Sequence, residues 1–293
     1  MAFLLLIVMM SFELFAGAEE VWQYPEDRSY SDSDRGLSPY RALSLYRTGS
    51  FSLTFDDGPH PDLTPMLLDI LKKHSTSATF FILTDKVNDQ SLPLIKRMLD
   101  EGHIVATHGP DHSRSTDQPE LIWKGALRRS LQDLSEIYGK AGHRLDRIYY
   151  RFPYGAYGSY RNSHSYHHMN SLLALSKEMM GENCIQFAFW DVDTADWVPG
   201  MTPQEISQNI LSHYEGGTVV DFEAVKVNGR TVYRKKPYQL KNPPGGGVVL
   251  QHDVHRNSVL AVDLFLKKAR DLGLRLLPLD EVDEFRVLRN CSL

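Results

Sequence analysis

At residues 50–59 the chain reads Ser-Phe-Ser-Leu-Thr-Phe-Asp-Asp-Gly-Pro. The apolar and β-branched residues up to Phe55 predict a buried strand, and Gly58-Pro59 predicts the turn that ends it. Two adjacent carboxylates, Asp56 and Asp57, therefore stand at the end of this strand. Burying a carboxylate there costs free energy unless it binds a metal, a cation or a proton. The two aspartates therefore predict a functional site at this strand end.

Outward from that stretch, strand-like and helix-like segments alternate along the chain. Short apolar runs predict seven strands, and amphipathic segments with a helical period lie between most of them. Strands are expected at 50–55, 78–83, 104–106, 147–151, 185–190, 247–251 and 274–277, and helices at 63–73, 92–99, 120–138, 170–180, 203–214 and 258–271. This alternation predicts an α/β fold with a parallel sheet, and about seven repeats favour a barrel.

Two segments break this rhythm and are predicted to be insertions between core elements. Residues 156–168 are rich in Tyr and His among Gly and Ser. Residues 218–242 predict a β-hairpin, because two β-branched runs flank a tight-turn signal at Asn228-Gly229.

Length and composition exclude several classes of protein. The chain has 293 residues, of which 42% are hydrophobic and 24% charged, enough for one large α/β domain or two small ones. The net charge of -5 shows no basic excess, so a nucleic-acid partner is not expected. No stretch after the N-terminus is long and apolar enough to span a membrane. Cys184 and Cys291 could form a disulfide bond or remain two separate thiols.

The N-terminal segment predicts export from the cytoplasm. Residues 2–10 are almost wholly apolar, and small residues at 16–18 offer a signal-peptidase site near Ala18. No Lys or Arg precedes Arg28, which leaves a buried or membrane-anchoring N-terminal helix as the alternative. The expected division is a signal peptide at 1–18, an arm or linker at 19–48 and a catalytic domain at 49–285.

Ionisable residues follow five of the predicted strands. The carboxyl ends of parallel strands meet on one face of a sheet or barrel, so these residues are expected to lie together. One Asp and two His would be a plausible Zn²⁺ set, because three protein ligands leave positions open for water and substrate. The residues are Asp56 and Asp57, His108 and His112, Arg151, the group Asp191, Asp193 and Asp196, and finally His252 and Asp253.

Five ordered motifs resemble those of the NodB-type polysaccharide deacetylases, carbohydrate esterase family 4, especially the bacterial peptidoglycan N-acetylglucosamine deacetylases. The motifs are Thr54-Phe55-Asp56-Asp57-Gly58-Pro59, Gly102-His103 with His108-x-x-x-His112, Arg151-x-Pro153-Tyr154-Gly155, Asp193-x-x-Asp196-Trp197 and Leu250-x-His252. The resemblance covers about residues 49–280, and five motifs in order are far more specific than any one alone. It implies a distorted (β/α)7 barrel, with the hairpin near 218–242 inserted into it.

The resemblance implies a metal centre with a base beside it. Asp57, His108 and His112 would hold the metal, expected to be Zn²⁺, although the same ligands suit other divalent first-row metals. Asp56 would be the general base that takes a proton from water. Arg151 would orient Asp56 and keep it ionised, as a nearby cation does.

The resemblance also implies an acid and a binding pocket. His252 would protonate the departing amine, and Asp196 would raise the pKa of His252. The backbone N–H of Tyr154 would help to hold the oxyanion. Trp197 and Leu250 would line the small pocket for the acetyl methyl group.

Some features carry a weaker interpretation. Gly109 stands where this family usually has Ser or Thr, which puts the rigidity of the metal loop in doubt but not the identity of its ligands. His103 is interpreted as a packed residue, and Asp191 and Asp193 as solvated carboxylates at strand ends, Asp193 with a supporting role.

The two insertions are each open to two interpretations. The rings of 156–168 would either wall a glycan groove or belong to a polar surface loop. The basic hairpin at 218–242 would either contact an acidic glycan or simply be solvated, and the solvated hairpin is favoured. Its cations are Arg230, Arg234, Lys235 and Lys236.

The resemblance and the export signal together predict a metal-dependent hydrolase, periplasmic or secreted. It would remove N-acetyl groups from an envelope glycan, with the N-acetylglucosamine of peptidoglycan as the expected substrate. Chitin, poly-N-acetylglucosamine and acetylated xylan are alternatives within the same chemistry. A glycan-binding module without catalysis is the alternative from another class. The sequence leaves the oligomeric state open.

Overall fold

A computed structural model describes residues 42–157, 167–181, 184–286 and 291. The predicted signal peptide at 1–18 and most of the arm at 19–48 lie outside the described residues, so this division of the chain stays a prediction. Most of the predicted Tyr- and His-rich insertion lies outside them as well. The described end of the arm forms a short 3-10 helix at Leu43–Leu45.

The described residues form parallel strands and α-helices, mostly in alternation. A hairpin precedes the last two parallel strands, which have one helix between them. The predicted and observed bounds agree to within a few residues. The strands are β1 (Ser50–Asp56), β2 (Thr79–Ile82), β3 (Ile104–Thr107), β4 (Ile148–Tyr150), β5 (Ile185–Phe187), β6 (Val192–Asp193), β7 (Gly217–Val227), β8 (Arg230–Leu240), β9 (Gly247–His252) and β10 (Arg275–Leu276). The α-helices are α1 (Leu63–Lys73), α2 (Leu92–Asp100), α3 (Glu120–Lys140), α4 (His167–Met179), α5 (Pro203–Glu215) and α6 (Arg256–Asp271).

The core lies between the parallel strands and the helices that cover them. Every residue of β1 is buried, as expected for a central strand of a parallel sheet covered on both faces. Helices α1 and α6 turn apolar faces inward, and the ring of Phe265 on α6 packs edge-on against Phe51 of β1. Each such side chain contributes roughly 1.5–3 kcal/mol by its burial.

The sheet curls because its two edges are joined by a short piece of chain. The pairing order is β5-β4-β3-β2-β1-β9-β6, all parallel, and β10 pairs with the beginning of β1. Phe187 and Val192 belong to the two edge strands, and an extended chain between them spans at most about 18 Å. A flat sheet of these strands would place its edges about 29 Å apart. The sheet must therefore bend round an axis, which confirms the predicted distorted barrel.

One strand was not predicted. The sequence pattern gave a single strand at 185–190, but β5 ends at Phe187 and the chain pairs again only at Val192, with β9. Strand β6 has two residues, too few for any periodic pattern, and it exists because β9 offers it an edge.

The predicted hairpin is confirmed and is fixed at its base. Strands β7 and β8 pair antiparallel, and Asn228 and Gly229 both have positive φ, as a two-residue hairpin turn favours. The side-chain amide of Asn209, on α5, donates to the carbonyl of Val220 at 2.8 Å and accepts from its N–H at 2.8 Å. The first strand of the hairpin is thus bonded to the barrel.

Cys184 and Cys291 form a disulfide bond, with their Cα atoms 5.4 Å apart. The bond ties the start of β5 to the end of the chain across 107 residues. Such a cross-link stabilises a fold chiefly by restricting the unfolded chain. Within the described part of the chain, no helix has both the length and the apolar character that crossing a membrane requires.

Candidate metal centre and active-site pocket

The candidate site is a pocket of about 390 Å³ at the carboxyl ends of the parallel strands. Strands β1 and β9 pair in a register that sets Asp56 opposite His252, so the two strand ends deliver their polar residues to one place. Eight predicted residues line the pocket: Asp56, Asp57, His108, His112, Tyr154, Trp197, Leu250 and His252. The other two, Arg151 and Asp196, are buried and bond to Asp56 and His252.

Asp57, His108 and His112 form a cluster that could hold a metal ion. Each offers one ligand atom, and the three atoms lie within 4.8 Å of one another. Nε2 of His108 lies 3.6 Å, and Nε2 of His112 3.4 Å, from Oδ1 of Asp57. These separations are too long for good hydrogen bonds, and Oδ1 of Asp57 is buried without a hydrogen-bond partner among the described residues. The arrangement suits a cation placed between the three atoms.

The ring of His108 is held in place by its other nitrogen, Nδ1. Nδ1 lies 2.8 Å from the carbonyl oxygen of Arg151, to which it donates, so Nε2 keeps its lone pair. Burial lowers the pKa of His108 to about 3, which keeps the ring neutral, and burial also lowers the pKa of His112. Neutral imidazole is the form that binds a metal.

The loop between the two histidines is held by backbone bonds, despite the glycine in it. Gly109 has a φ of 90° and donates its N–H to the hydroxyl of Thr107 at 3.1 Å. The N–H groups of Thr84 and Asp85 donate to the carbonyls of Gly109 and Pro110 at 3.1 and 3.0 Å. These hydrogen bonds hold the loop in place, although Gly109 lacks the hydroxyl group that the family usually has there.

Asp56 is held by a fully buried arginine. Nη1 of Arg151 donates to Oδ1 of Asp56 at 2.8 Å and to the hydroxyl of Thr54 at 2.7 Å. Nε and Nη2 donate to the carbonyls of Ala188 and Phe189 at 2.8 and 3.1 Å. A guanidinium bonded in four directions cannot rotate away, so one oxygen of Asp56 is fixed and the other faces the pocket.

The pKa of Asp56 is raised from its ordinary value. Burial is the largest cause, since it disfavours the charged carboxylate, and the positive charge of Arg151 opposes it. Arg151 therefore acts in the predicted direction, but burial outweighs it.

His252 and Asp196 form a buried ion pair beside the pocket. Nδ1 of His252 lies 2.8 Å from Oδ1 of Asp196, and the backbone N–H of His252 donates to Oδ2 at 2.7 Å. Burial opposes the charged ring, yet the charge and the hydrogen bond of Asp196 raise the pKa of His252 to about 10. The pKa of Asp196 is lowered: burial acts to raise it, but His252 outweighs burial. With Nδ1 bound in this way, Nε2 is the nitrogen free to exchange a proton.

Tyr154, Trp197 and Leu250 lie at the pocket wall, as predicted. Tyr154 has an unusual backbone, with φ 61° and ψ 10°, and the residue is 48% exposed. Its ring packs 4.3 Å from the ring of His112, and the guanidinium of Arg114 lies 4.8 Å from its centroid. Leu250 is buried and Trp197 is half-buried.

The sequence missed several residues of the pocket. The most distant in the chain are Phe222 and Tyr233, which come from the two strands of the hairpin and pack on Trp197. The alternation of side chains along a strand could have predicted that both rings lie on one face of the hairpin. Nothing in the sequence indicated that this face would line the pocket. The remaining unpredicted lining residues are Arg114, Phe152, Trp190 and His255.

Two further aspartates, Asp191 and Asp193, hold the backbone near the site. The interpretation of Asp191 and Asp193 as solvated was wrong, because both are buried. Asp191 accepts from the N–H of Val248 at 2.8 Å, and Asp193 accepts from that of Ala195 at 2.8 Å, which shapes the turn before Asp196.

Asp253 and His103 also hold neighbouring segments of the fold together through hydrogen bonds. Asp253 accepts from the hydroxyl of Thr64 and packs so closely on Gly58 that a Cβ there would lie 2.4 Å from its oxygen. Burial raises the pKa of Asp253 to about 7. His103 accepts from the N–H of Ala78 at 3.1 Å and packs as predicted.

Comparisons with known proteins identify the family. Residues 46–168 match the profile described as Polysaccharide deacetylase. The chain is similar to a chitooligosaccharide deacetylase of Bradyrhizobium sp. (strain ANU 289), with 34% identity over 177 residues that cover 59% of this chain and 69% of that protein. The chain therefore belongs to the polysaccharide deacetylase family.

Peptidoglycan deacetylases are also among its relatives. It is 28% identical over 231 residues to the peptidoglycan-N-acetylglucosamine deacetylase PgdA of Listeria monocytogenes (strain 10403S). The match covers 79% of this chain but only 38% of PgdA, so the chain spans about two fifths of that relative. The solved structure of the peptidoglycan deacetylase PdaC from Bacillus subtilis superposes with a TM-score of 0.55 at 26% identity, covering 83% of this chain and 93% of that one.

Proposed function

We propose that this protein hydrolyses N-acetyl groups of N-acetylglucosamine units in an envelope glycan, with peptidoglycan as the substrate. One observation carries the proposal. Two adjacent carboxylates, Asp56 and Asp57, face one pocket with different partners, one an arginine and the other two neutral histidines. A base and a metal site side by side are what amide hydrolysis needs.

The residues present fit a divalent metal. Ligand atoms about 2.1 Å from a tetrahedral zinc lie about 3.4 Å apart, and the two Asp57–histidine separations are 3.6 and 3.4 Å. Oδ1 of Asp57 has no hydrogen-bond partner among the described residues, and Nε2 of His108 is free of protons. Zn²⁺ is the proposed ion, held by Asp57, His108 and His112.

Asp56 is the proposed base. A metal bound beside it would act as a Lewis acid on the acetyl carbonyl and would make a nearby water more acidic. Arg151 holds Oδ1 of Asp56, so Oδ2, which lies 3.7 Å from Nε2 of His108, is the oxygen that accepts the proton. Its raised pKa makes it a stronger base than an ordinary aspartate.

His252 is the proposed acid. Its pKa of about 10 keeps the ring protonated at neutral pH, and Asp196 fixes the ring through Nδ1. Nε2 can then give its proton to the departing amine, without which an amine is a poor leaving group. The backbone N–H of Tyr154 is proposed to stabilise the oxyanion, while Trp197 and Leu250 surround the acetyl methyl group.

The substrate and the location are proposed together. PgdA and PdaC are named as peptidoglycan deacetylases, and the predicted export signal would bring this chain to the cell envelope. The disulfide bond agrees with an oxidising compartment outside the cytoplasm. The Bradyrhizobium relative is named for chitooligosaccharides, which makes chitin oligomers the substrates to compare.

Acetate release tests the proposal. The purified protein is incubated with peptidoglycan, chitin oligomers and acetylxylan, with and without a chelator, and then with Zn²⁺ restored. We expect most release from peptidoglycan, loss of release with chelator and recovery with Zn²⁺. Release from acetylxylan alone would move the substrate class to esters. Binding to glycans with no chelator-sensitive release from any of them would make the chain a binding module.

A further inference from the structure

Three aromatic rings, those of Trp197, Phe222 and Tyr233, form a compact aromatic patch at the pocket wall. The ring centroids of Trp197 and Phe222 lie 4.5 Å apart, those of Trp197 and Tyr233 5.1 Å, and those of Phe222 and Tyr233 5.6 Å. All three line the same pocket as the metal cluster. Tyr233 is the most exposed of the three at 41%, whereas Trp197 and Phe222 are half-buried.

We propose that Phe222 and Tyr233 of the hairpin form a binding subsite for a sugar ring next to the one that is deacetylated. Trp197 is expected to pack on the acetylated sugar, and the two hairpin rings adjoin it in the same pocket. A neighbouring sugar in the same glycan chain would meet Tyr233. This subsite rests on the proposed function, because it extends the same substrate.

The aromatic patch suits the apolar face of a pyranose ring. Sugar rings present apolar C–H faces, which pack on the electron-rich faces of aromatic rings. An exposed tyrosine also keeps a hydroxyl for the sugar's own hydroxyl groups. Such an aromatic residue loses little conformational entropy on binding, because it has only two side-chain torsions.

The basic residues of the hairpin do not provide this subsite. Lys235 shares the face of Phe222, but its ammonium is bound to Glu205 at 2.6 Å. Arg230, Arg234 and Lys236 alternate onto the opposite face, where Arg234 and Lys236 lie beside Glu223 or Asp221. The cations on that opposite face are exposed, in keeping with the solvated hairpin favoured from the sequence, so the proposed subsite depends on the aromatic face.

The hairpin is placed firmly enough to serve as a wall. Asn209 bonds to Val220, two residues before Phe222, and the hydroxyl of Ser212 donates to the carbonyl of Thr218 at 2.7 Å. Val220 and Phe222 pack against a small apolar cluster beneath them. The free protein thus already presents the aromatic patch, and little binding energy is lost in ordering it.

Chain-length dependence tests the subsite. Acetate release is measured on N-acetylglucosamine, on its β-1,4-linked oligomers up to the pentamer and on peptidoglycan. For the wild type we expect kcat/KM to rise with chain length. Tyr233→Ala should lose at least about tenfold more on the pentamer than on the monosaccharide, equivalent to about 1.4 kcal/mol, mainly through KM. Tyr233→Phe should retain most of the gain, because it keeps the ring.

Val232→Ala is the matched control. It truncates the preceding residue of the same strand, whose side chain lies on the opposite face and is similarly exposed, at 38%. It should not change the chain-length dependence. Equal losses on monomer and pentamer in Tyr233→Ala, or the same pattern in Val232→Ala, would overturn the subsite.

A binding measurement separates failure of the subsite from failure of the proposed function. The pentamer is titrated against chelator-treated protein while tryptophan fluorescence is followed. Weaker binding in Tyr233→Ala than in Val232→Ala supports the subsite even if no acetate is released. Unchanged binding overturns the subsite while leaving the proposed hydrolysis to be judged by acetate release.

Discussion

Two Asp–His pairs contribute side chains to the pocket, and they have opposite properties. Asp57 and His108 are separated by 3.6 Å and do not bond, and burial lowers the pKa of His108 to about 3. Asp196 and His252 are 2.8 Å apart and bond, and the pKa of His252 rises to about 10 against the effect of burial. The same two residue types thus form a neutral ring on one side and a charged ring on the other.

The partner of Nδ1 explains the difference. In His108, Nδ1 donates to a backbone carbonyl, a neutral acceptor, and Asp57 lies 3.6 Å from Nε2, where its charge does not outweigh burial. In His252, Nδ1 faces a carboxylate, which stabilises the second proton on the ring. The first pair therefore leaves a gap that suits a cation, whereas the second keeps a proton on its ring.

The largest effects should come from substituting Asp57 and Asp56 one at a time. Asp57→Ala should lose bound metal and lower kcat by about a thousandfold or more, because the Lewis acid goes with it. Asp56→Asn should keep the metal, since Asp56 bonds to Arg151, and still lower kcat by roughly a hundredfold to ten-thousandfold. Metal content after dialysis and acetate release are measured together. Equal metal loss in both variants would contradict the separate roles.

Changes to the Asp196–His252 pair should affect turnover and leave the metal in place. His252→Asn should lower kcat by roughly a hundredfold to ten-thousandfold, because the leaving amine then lacks its acid. Metal content should match that of the wild type. If His252→Asn lost metal as Asp57→Ala does, the distinction between a cation side and a proton side would fail.

Asp196→Asn should move the pH dependence. Without the carboxylate, burial is left to lower the pKa of His252, so the alkaline limb of kcat/KM should shift to lower pH than in the wild type, whose limb is expected near 10. The pH profile is measured under conditions where chemistry limits the rate. An alkaline limb at the same pH in both proteins would show that His252 is not the group titrating.

The same pair should make stability depend on pH. The pKa of His252 in the folded protein is about 10, above its ordinary 6.5, so protonation of His252 stabilises the fold. This stabilisation is complete below about pH 6.5 and is lost as the pH rises through about 10. The difference in free energy of unfolding between wild type and Asp196→Asn should therefore narrow over that range, as denaturant titrations at several pH values can show.

The smallest effect concerns two threonines that lie side by side on β1 and β2. Thr54 accepts a bond from Arg151 and donates to the carbonyl of Val249, whereas the hydroxyl of Thr79, its partner in the strand register, is buried without a partner among the described residues. Thr54→Val should cost about 1–3 kcal/mol of stability, and Thr79→Val should be neutral or stabilising. Denaturant unfolding compares the two variants. Equal costs would mean that the bonds of Thr54 do not matter to the fold.

Much of the fold could be predicted because its signals are local. Alternating apolar strands and amphipathic helices give the order of elements, and Asn228-Gly229 gives the hairpin turn. Strand β6 could not be predicted, since two residues carry no period and their pairing with β9 depends on the curl of the sheet. The disulfide bond was left open, because two cysteines 107 residues apart give no measure of their distance in space.

The candidate site, like the fold, could be predicted only in part. The sequence by itself determined which chemical groups arrive at the strand ends, because strand direction and residue type are properties of each segment. Only the tertiary structure decided what each group meets: an arginine for Asp56, a carboxylate for His252 and a gap of cation size beside Asp57. The tertiary structure also aimed Phe222 and Tyr233 at the pocket. Charge state, metal fit and sugar contact depend on distances between segments far apart in the chain, and packing alone sets those distances.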